Sequence, residues 1–305
     1  MHHTHAHVIL ASLVTLTLIA CSGGSGLQEP AAKPDMAGPK DAAKADAWHR
    51  LDDPARLGEN LVMRLEQLPL DGEAAIIPWA GSYWPTYLDS INHRWDCPSS
   101  SPDCDNLSPA EKYAKAFEVE GVEDYVSENH GIDAHDWKPS CLQQSDCDDG
   151  ICAIRRGRTQ GRCIPTWWGI CHAWSPAAIA EPEPIRPLEV NGVTFKINDL
   201  KALATFAYNF IHTKYVSLRC EVDGGTVETD AYGNPTGADE PCKDTNPGTF
   251  HVITTNYLGL MGKSFVEDRT WDLQVWNQPV ARYRITHQED VTTARAHQLL
   301  DVTDD

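Results

Sequence analysis

The sequence predicts an α+β fold built on a small antiparallel sheet with a disulfide-rich insertion, and three observations predict it. Helical spacing and strand-like alternation of apolar residues both occur along the chain, and the extended signals concentrate in its second half. Four cysteines crowd into the turn-rich stretch 141–163. A chain of 305 residues that is 41% apolar is long enough for one sizeable core or two modest ones.

The first twenty residues contain no Lys, Arg, Asp or Glu. Val8 to Ala20 form an apolar run too short to span a bilayer, ending at Leu18, Ile19, Ala20 and Cys21. Residues 1–20 therefore read as an export signal, and the last four residues of that run fit the bacterial lipobox, in which cleavage frees a lipid-carrying cysteine, here Cys21. His2, His3, His5 and His7 stand where Lys or Arg is usual. Residues 21–47 are small, polar and interrupted by Pro and Gly, so they predict a flexible tether. A single domain is expected over 48–305, with the cysteine-rich insertion at 141–163. No later segment is apolar enough to be transmembrane.

Within that domain, Leu57, Leu61 and Leu65 at helical spacing predict a helix around Arg56 to Leu68. PWAGSYWPTYLDSINHRW is dense in aromatic and turn residues and predicts a buried platform or site wall. Ser108, Pro109 and Glu111 supply an N-cap, a first-turn proline and a capping box for the helix EKYAKAFEV. LEVNGVTFKI alternates around Asn191 and Gly192, a type I′ hairpin signal. Asn198 or Asp199 then caps a helix with Leu200, Leu203, Ala204, Ala207, Phe210 and Ile211 on one face. GTFHVITTNYLG, a turn at Gly259 to Gly262, and SFVEDRTW predict a second hairpin. LQVWNQPVARYRI predicts a further strand, confined by Pro279 to an edge or bulge.

Cysteine arithmetic isolates one thiol. Setting Cys21 aside leaves nine of the ten cysteines, an odd number for an oxidising compartment. Cys97 and Cys104 flank a short loop, and Cys220 and Cys242 flank an acidic, Gly-rich one, so each pair is expected to close locally. Closing the second loop contributes about 3 kcal/mol in the chain-entropy model. The four cysteines at 141, 147, 152 and 163 form a knot whose pairing the sequence leaves open. Cys171 is left over. No pair has the CxxC spacing of a zinc site.

Cys171 sits in PTWWGICHAWSPAAIA, crowded by Trp167, Trp168 and Trp174, with Gly169 giving backbone freedom just before it. A nucleophilic thiol must be deprotonated, which calls for a neighbouring imidazolium and often a helix N-terminus. Here Ser175 and Pro176 read as the N-cap and first residue of a helix that starts after the cysteine. A buried inert cysteine is the competing reading. In the second predicted hairpin His251 pairs with Thr270 and Ile253 with Asp268, so His251 and Asp268 share a face. That makes His251 the base and Asp268 its orienter, with Glu267, Asp272 and Asn277 as further orienters and His172 and His130 as competing bases. His172, adjacent to the cysteine, is expected to point away from it.

The formal charge of −19 lies wholly beyond the signal. It argues against nucleic acid and anionic membrane as partners, and it suits cationic substrates or a solubilising surface.

The stretches PWAGSYWPTYLDSIN, WWGICHAWSPAAI, EVNGVTFKINDLKAL, GTFHVITTNYLG, FVEDRTWDLQ and VWNQPV resemble the transglutaminase elicitor family of oomycete cell walls. In that family a VWNQPV-containing segment is the epitope recognised by plants. The resemblance runs from about Ile76 to Thr286 and makes this chain look like a bacterial, lipoprotein-like homologue. It implies a papain-like or transglutaminase-like cysteine enzyme, a calcium-dependent protein-glutamine γ-glutamyltransferase. Cys171 matches the nucleophile, His251 the base and Asp268 the acid, while Trp167, Trp168, Gly169 and Trp174 form the oxyanion and substrate wall. Two departures stand out: the knot at 141–163 looks like a local insertion, and VWNQPVARY diverges after its six-residue core. Acidic groups at Asp146, Asp148 and Asp149 and at Asp223, Asp230, Asp239 and Glu240 offer oxygen ligands for calcium, without EF-hand spacing, so the ligands stay unassigned.

The expected activity is isopeptide bond formation between protein glutamine and lysine side chains through a cysteine thioester. The protein would be exported, either held in the cell envelope by Cys21 or extracellular. A papain-like cysteine peptidase needs the same three groups, and a catalytically inactive surface adhesin would keep the fold. Both stand as alternatives.

Overall fold

A computed structural model describes residues 53–58, 60–98, 104–217, 245, 247–270 and 274–300. The export signal, Cys21, the tether, Cys220, Cys242, Asp272 and the second acidic loop lie outside the described residues. Among those described, no helix is long and apolar enough to cross a membrane.

The described residues open with a 3₁₀ turn over Pro54–Leu57, capped by Asp53 in front and by Gly58 at φ 71° behind. The helix expected at 56–68 does not form; Val62 instead donates its N–H to Asn256 Oδ1 at 2.8 Å, and its carbonyl accepts from Asn256 Nδ2 at 2.9 Å. A second 3₁₀ turn, Leu65–Gln67, leads to β1 (Asp71–Glu73). The aromatic platform follows as irregular backbone with two more 3₁₀ turns, and it buries Trp79 and Trp84.

Helix α1 (Pro109–Phe117) starts as the sequence specifies. Ser108 Oγ accepts the Glu111 N–H at 3.1 Å, and Glu111 Oε2 accepts the Ser108 N–H at 2.8 Å. Helix α2 (Val122–His130) follows. The insertion is a three-stranded sheet, β2 (Ser140–Cys141), β3 (Ile151–Ala153) and β4 (Gly161–Ile164), in the order β2-β4-β3. Disulfides Cys141–Cys152 and Cys147–Cys163 cross it, and Cys97–Cys104 closes the loop before α1. The insertion is clamped to the helices. Arg155 meets Asp89, Asp124 and Asp133, at 3.5, 2.6 and 2.6 Å, and Arg156 meets Glu111 at 2.8 Å.

Helix α3 (Cys171–Ala180) begins on the free cysteine itself, not after Ser175, and carries Pro176 in its second turn. The proline leaves the His172 carbonyl without its usual donor. Burial of Ala173, Trp174, Ala177 and Ala178 outweighs that loss, since these residues repeat on one face at helical spacing. The hairpin β5 (Leu188–Val190) and β6 (Val193–Phe195) turns through Asn191 at φ 49° and Gly192 at φ 75°, the type I′ geometry expected. Helix α4 (Ile197–Ala207) is preceded by Lys196 at the N-cap. Asp199, expected there, is instead fully buried in the first turn, accepting from Trp95 Nε1 at 2.8 Å, from the Lys196 N–H at 2.7 Å and from Lys112. Because α4 stops at Ala207, Phe210 and Ile211 are exposed.

The largest correction concerns GTFHVITTNYLG. It forms α5 (Pro247–Thr254), continued by a π-helical turn Thr255–Leu260. Its β-branched run favours a strand locally, yet Thr249, the whole run Val252 to Asn256 and Leu258 are buried, and tertiary burial overrides the propensity. The hairpin that does form pairs β7 (Val266–Asp268) with β8 (Asn277–Pro279), in the register Asp268↔Asn277. The strand expected through LQVWNQPVARYRI is thus split: β8 ends at Pro279, and β9 (Arg282–Arg284) pairs with β1. Helix α6 (Thr293–Leu300) ends the described chain. The sheets among the described residues are small, separate and antiparallel. The central core joins α1 to α4 through Ala110, Val126, Ala173 and Ala202, with Trp84, Ile91 and Ile170.

Candidate active site

Cys171 is the free cysteine among the described residues, 8% exposed at the first position of α3. The preceding segment is fixed by close backbone approach. Ile170 donates its N–H to the Tyr83 carbonyl at 2.7 Å, and Thr86 donates to the Trp168 carbonyl at 2.9 Å. A Cβ on Gly169 would lie 2.4 Å from the Tyr83 carbonyl oxygen, so this glycine supplies space rather than conformational freedom. The facing segment is strained: Trp84 is held at φ 45°, unfavourable for a bulky residue, and stays there because it is buried in the core.

The sulfur faces β8 and the residues before it. Cys171 Sγ donates to the Val275 carbonyl at 3.5 Å, and Asn277 Nδ2 donates to Sγ at 3.8 Å. Ser175, fully buried one turn further along α3, donates its hydroxyl to the Asn277 carbonyl at 3.1 Å. Trp79, Trp174, Ala177 and Ala178 complete the apolar side, with Tyr83 packed against them, and the Tyr83 ring lies 5.7 Å from that of Trp276. Burial pushes the Cys171 thiol up. The N–H groups of Asn277 and His172 and the Asn277 side-chain amide work against that rise, while the Asp268 charge adds to it.

The other expected site residues are distributed unevenly. Trp174 packs with Cys171, but Trp168 turns toward the insertion, 4.7 Å from the His135 ring and beneath the Lys138 ammonium at 4.5 Å, with Trp167 edge-on to it. His251 is on α5 rather than on a strand, so the hairpin pairing that linked it to Asp268 does not exist. Its Nε2 is buried and has no hydrogen-bond partner among the described residues. Asp268 Oδ1 accepts the Trp276 N–H at 2.7 Å and the Thr270 hydroxyl at 3.1 Å. The competing histidines are engaged elsewhere: His172 Nε2 lies 2.6 Å from Asn209 Oδ1, and His130 bonds the other end of the same amide. His172 thus points away from the sulfur, as its position predicts.

Sequence reasoning undervalued Val275, Asn277 and Ser175, which touch or support the thiol, and VWNQPV was the signal that marked two of them. For calcium the described residues offer little. Asp146 spends its carboxylate on the N–H groups of Leu142 and Gln143. Among the described residues the one group of potential ligand atoms that converges is Cys141, Cys147 and Cys163, all in disulfides. The first acidic loop and this cysteine group do not fit a calcium ion.

The sequence model of the transglutaminase elicitor family matches residues 52–302. Among solved structures, the fold is similar to the crystal structure of the GP42 transglutaminase from Phytophthora sojae, at 40% identity and a TM-score of 0.61. The match covers 80% of this chain and 64% of that one, so this chain spans less than two thirds of its relative's length. No curated protein matches the chain.

Proposed function

The chain belongs to the transglutaminase elicitor family, and from that premise we propose that it is an exported protein-glutamine γ-glutamyltransferase whose nucleophile is Cys171. The observation that carries this reading is the free thiol at the start of α3, with amide donors aimed at its sulfur. The Cys171 proton passes to His251, and the thiolate attacks the carboxamide carbon of a protein glutamine. Backbone N–H groups at the start of α3 receive the oxyanion, His251 returns the proton to the departing ammonia, and a thioester remains. A lysine amine resolves it to an isopeptide crosslink; water gives deamidation instead. The unpartnered Nε2 of His251 supports its role as base, and the reach of the Asp268 charge to the sulfur supports Asp268 as the group that balances a protonated imidazole.

The three disulfides among the described residues suit an oxidising compartment outside the cytosol. An export signal over 1–20, a lipid anchor at Cys21, a calcium requirement and glutamine- and lysine-bearing protein partners complete the proposal. One observation favours a second reading: the thiol is buried and its proton is held by the Val275 carbonyl, as an inert adhesin would tolerate.

Incorporation of a fluorescent primary amine into casein, measured with and without calcium, tests the choice. The wild type is expected to label casein and Cys171→Ala to label none. Equal labelling by both removes Cys171 from the reaction, casein fragments in place of labelled casein indicate a peptidase, and an inactive wild type favours the adhesin.

A further inference from the structure

Resting on the acyl-transfer reading of Cys171, we propose that Asn277 is a catalytic residue whose side-chain amide, together with a backbone N–H at the start of α3, forms the oxyanion hole. Its Nδ2 stands 3.8 Å from Sγ. In a tetrahedral adduct the oxyanion is bonded to the carbon that the sulfur has just attacked, and a useful donor stands about 3 Å from that oxygen. A donor a little under 4 Å from the sulfur satisfies both conditions. Among the described residues Nδ2 makes no other hydrogen bond, so the donor is available.

The amide is held in place from two sides. Ser175, on the same helix as the nucleophile, ties the Asn277 carbonyl to α3. On the other strand Asp268 pairs with Asn277 in register, and its carboxylate fixes the N–H of the preceding residue, Trp276. The same polarity acts on the sulfur, where the side-chain and backbone N–H groups of Asn277 favour the negative form. Donors that favour negative charge at that point also favour it on an oxygen two bonds further away.

The step balances as follows. A C–S bond forms to the carboxamide carbon, the C=O π pair moves onto oxygen, and Asn277 Nδ2 and the helix N–H donate to that oxygen. Collapse restores the C=O and breaks the C–N bond. The nitrogen leaves as ammonia, carrying the proton that the thiol had given to the base.

Acylation by 4-nitrophenyl acetate, followed as a burst of 4-nitrophenol, tests this with any acyl donor. In Asn277→Ala the burst rate is expected to fall about 10²–10³-fold. Alkylation by iodoacetamide, which builds no oxyanion, should fall at most about tenfold through a weakened thiolate. Asn277→Leu keeps about the same size with neither the donor nor a new charge and should reproduce the split, which guards against misfolding of the alanine variant. Parallel losses in both reactions, or a burst rate near that of the wild type, overturn the proposal. A wild type that gives a burst but no amine incorporation removes the transamidation reading and leaves this one standing. A wild type without a burst overturns both.

Discussion

Asp268 Oδ1 accepts the backbone N–H of Trp276 at 2.7 Å. The carboxylate expected to orient a histidine therefore also shapes the segment that covers the nucleophile, and its charge reaches the sulfur.

Asp268→Asn separates these roles, because an amide oxygen still accepts from Trp276. Burial, with the Asp268 charge added to it, raises the Cys171 thiol. Iodoacetamide alkylation of the wild type should therefore keep accelerating above the pH at which an ordinary cysteine levels off. Removing the charge should speed alkylation at pH 8 by about threefold. If Asp268 also orients His251, amine incorporation falls about 10²–10⁴-fold in the same variant. Slower alkylation would contradict the electrostatic assignment.

Gly169→Ala places a Cβ 2.4 Å from the Tyr83 carbonyl oxygen, where backbone must move. A loss of about 1–3 kcal/mol is expected by urea denaturation, with slower amine incorporation because the same backbone positions Cys171. Unchanged stability would show that the two segments are not in contact.

His130 and His135 are both lowered to about 4, chiefly by burial. For a histidine depressed in the folded state, the stabilising contribution is complete above the unfolded value near 6.5. It is lost as pH falls from there toward 4, because the unfolded chain binds the proton more readily. The melting temperature should drop through that window, and His130→Gln should flatten the drop.

Arg155→Ala leaves Asp89, Asp124 and Asp133 without the cation that fastens the insertion to the helices. Since Asp89 is buried, the loss should be about 3 kcal/mol. Amide exchange should rise around β3 and β4 before it rises in α1, and uniform exchange would show that the insertion is not a separately fastened unit.

Much of this was readable from the chain. Ser108 and Glu111 specified the start of α1, and Asn191-Gly192 specified a hairpin, because both signals act within four residues. Cys171 followed from counting cysteines, since an odd thiol survives any local pairing. The site partners were harder. His251 sits among β-branched residues that favour a strand in isolation, and its helix exists because distant surfaces bury the run that follows it. Likewise Ser175-Pro176 is a strong local start signal, yet α3 begins at Cys171, where burial of Ala173 and Ala177 outweighs one missing helical hydrogen bond.

The sequence by itself thus determined the family, the odd thiol and the short-range turns and caps. Tertiary structure alone decided that α3 opens on that thiol, and that Val275 and Asn277, about a hundred residues away, face its sulfur. The physical reason is range: caps and turns are settled by neighbours along the chain, whereas a buried sulfur takes its partners from whichever strand the core delivers to it.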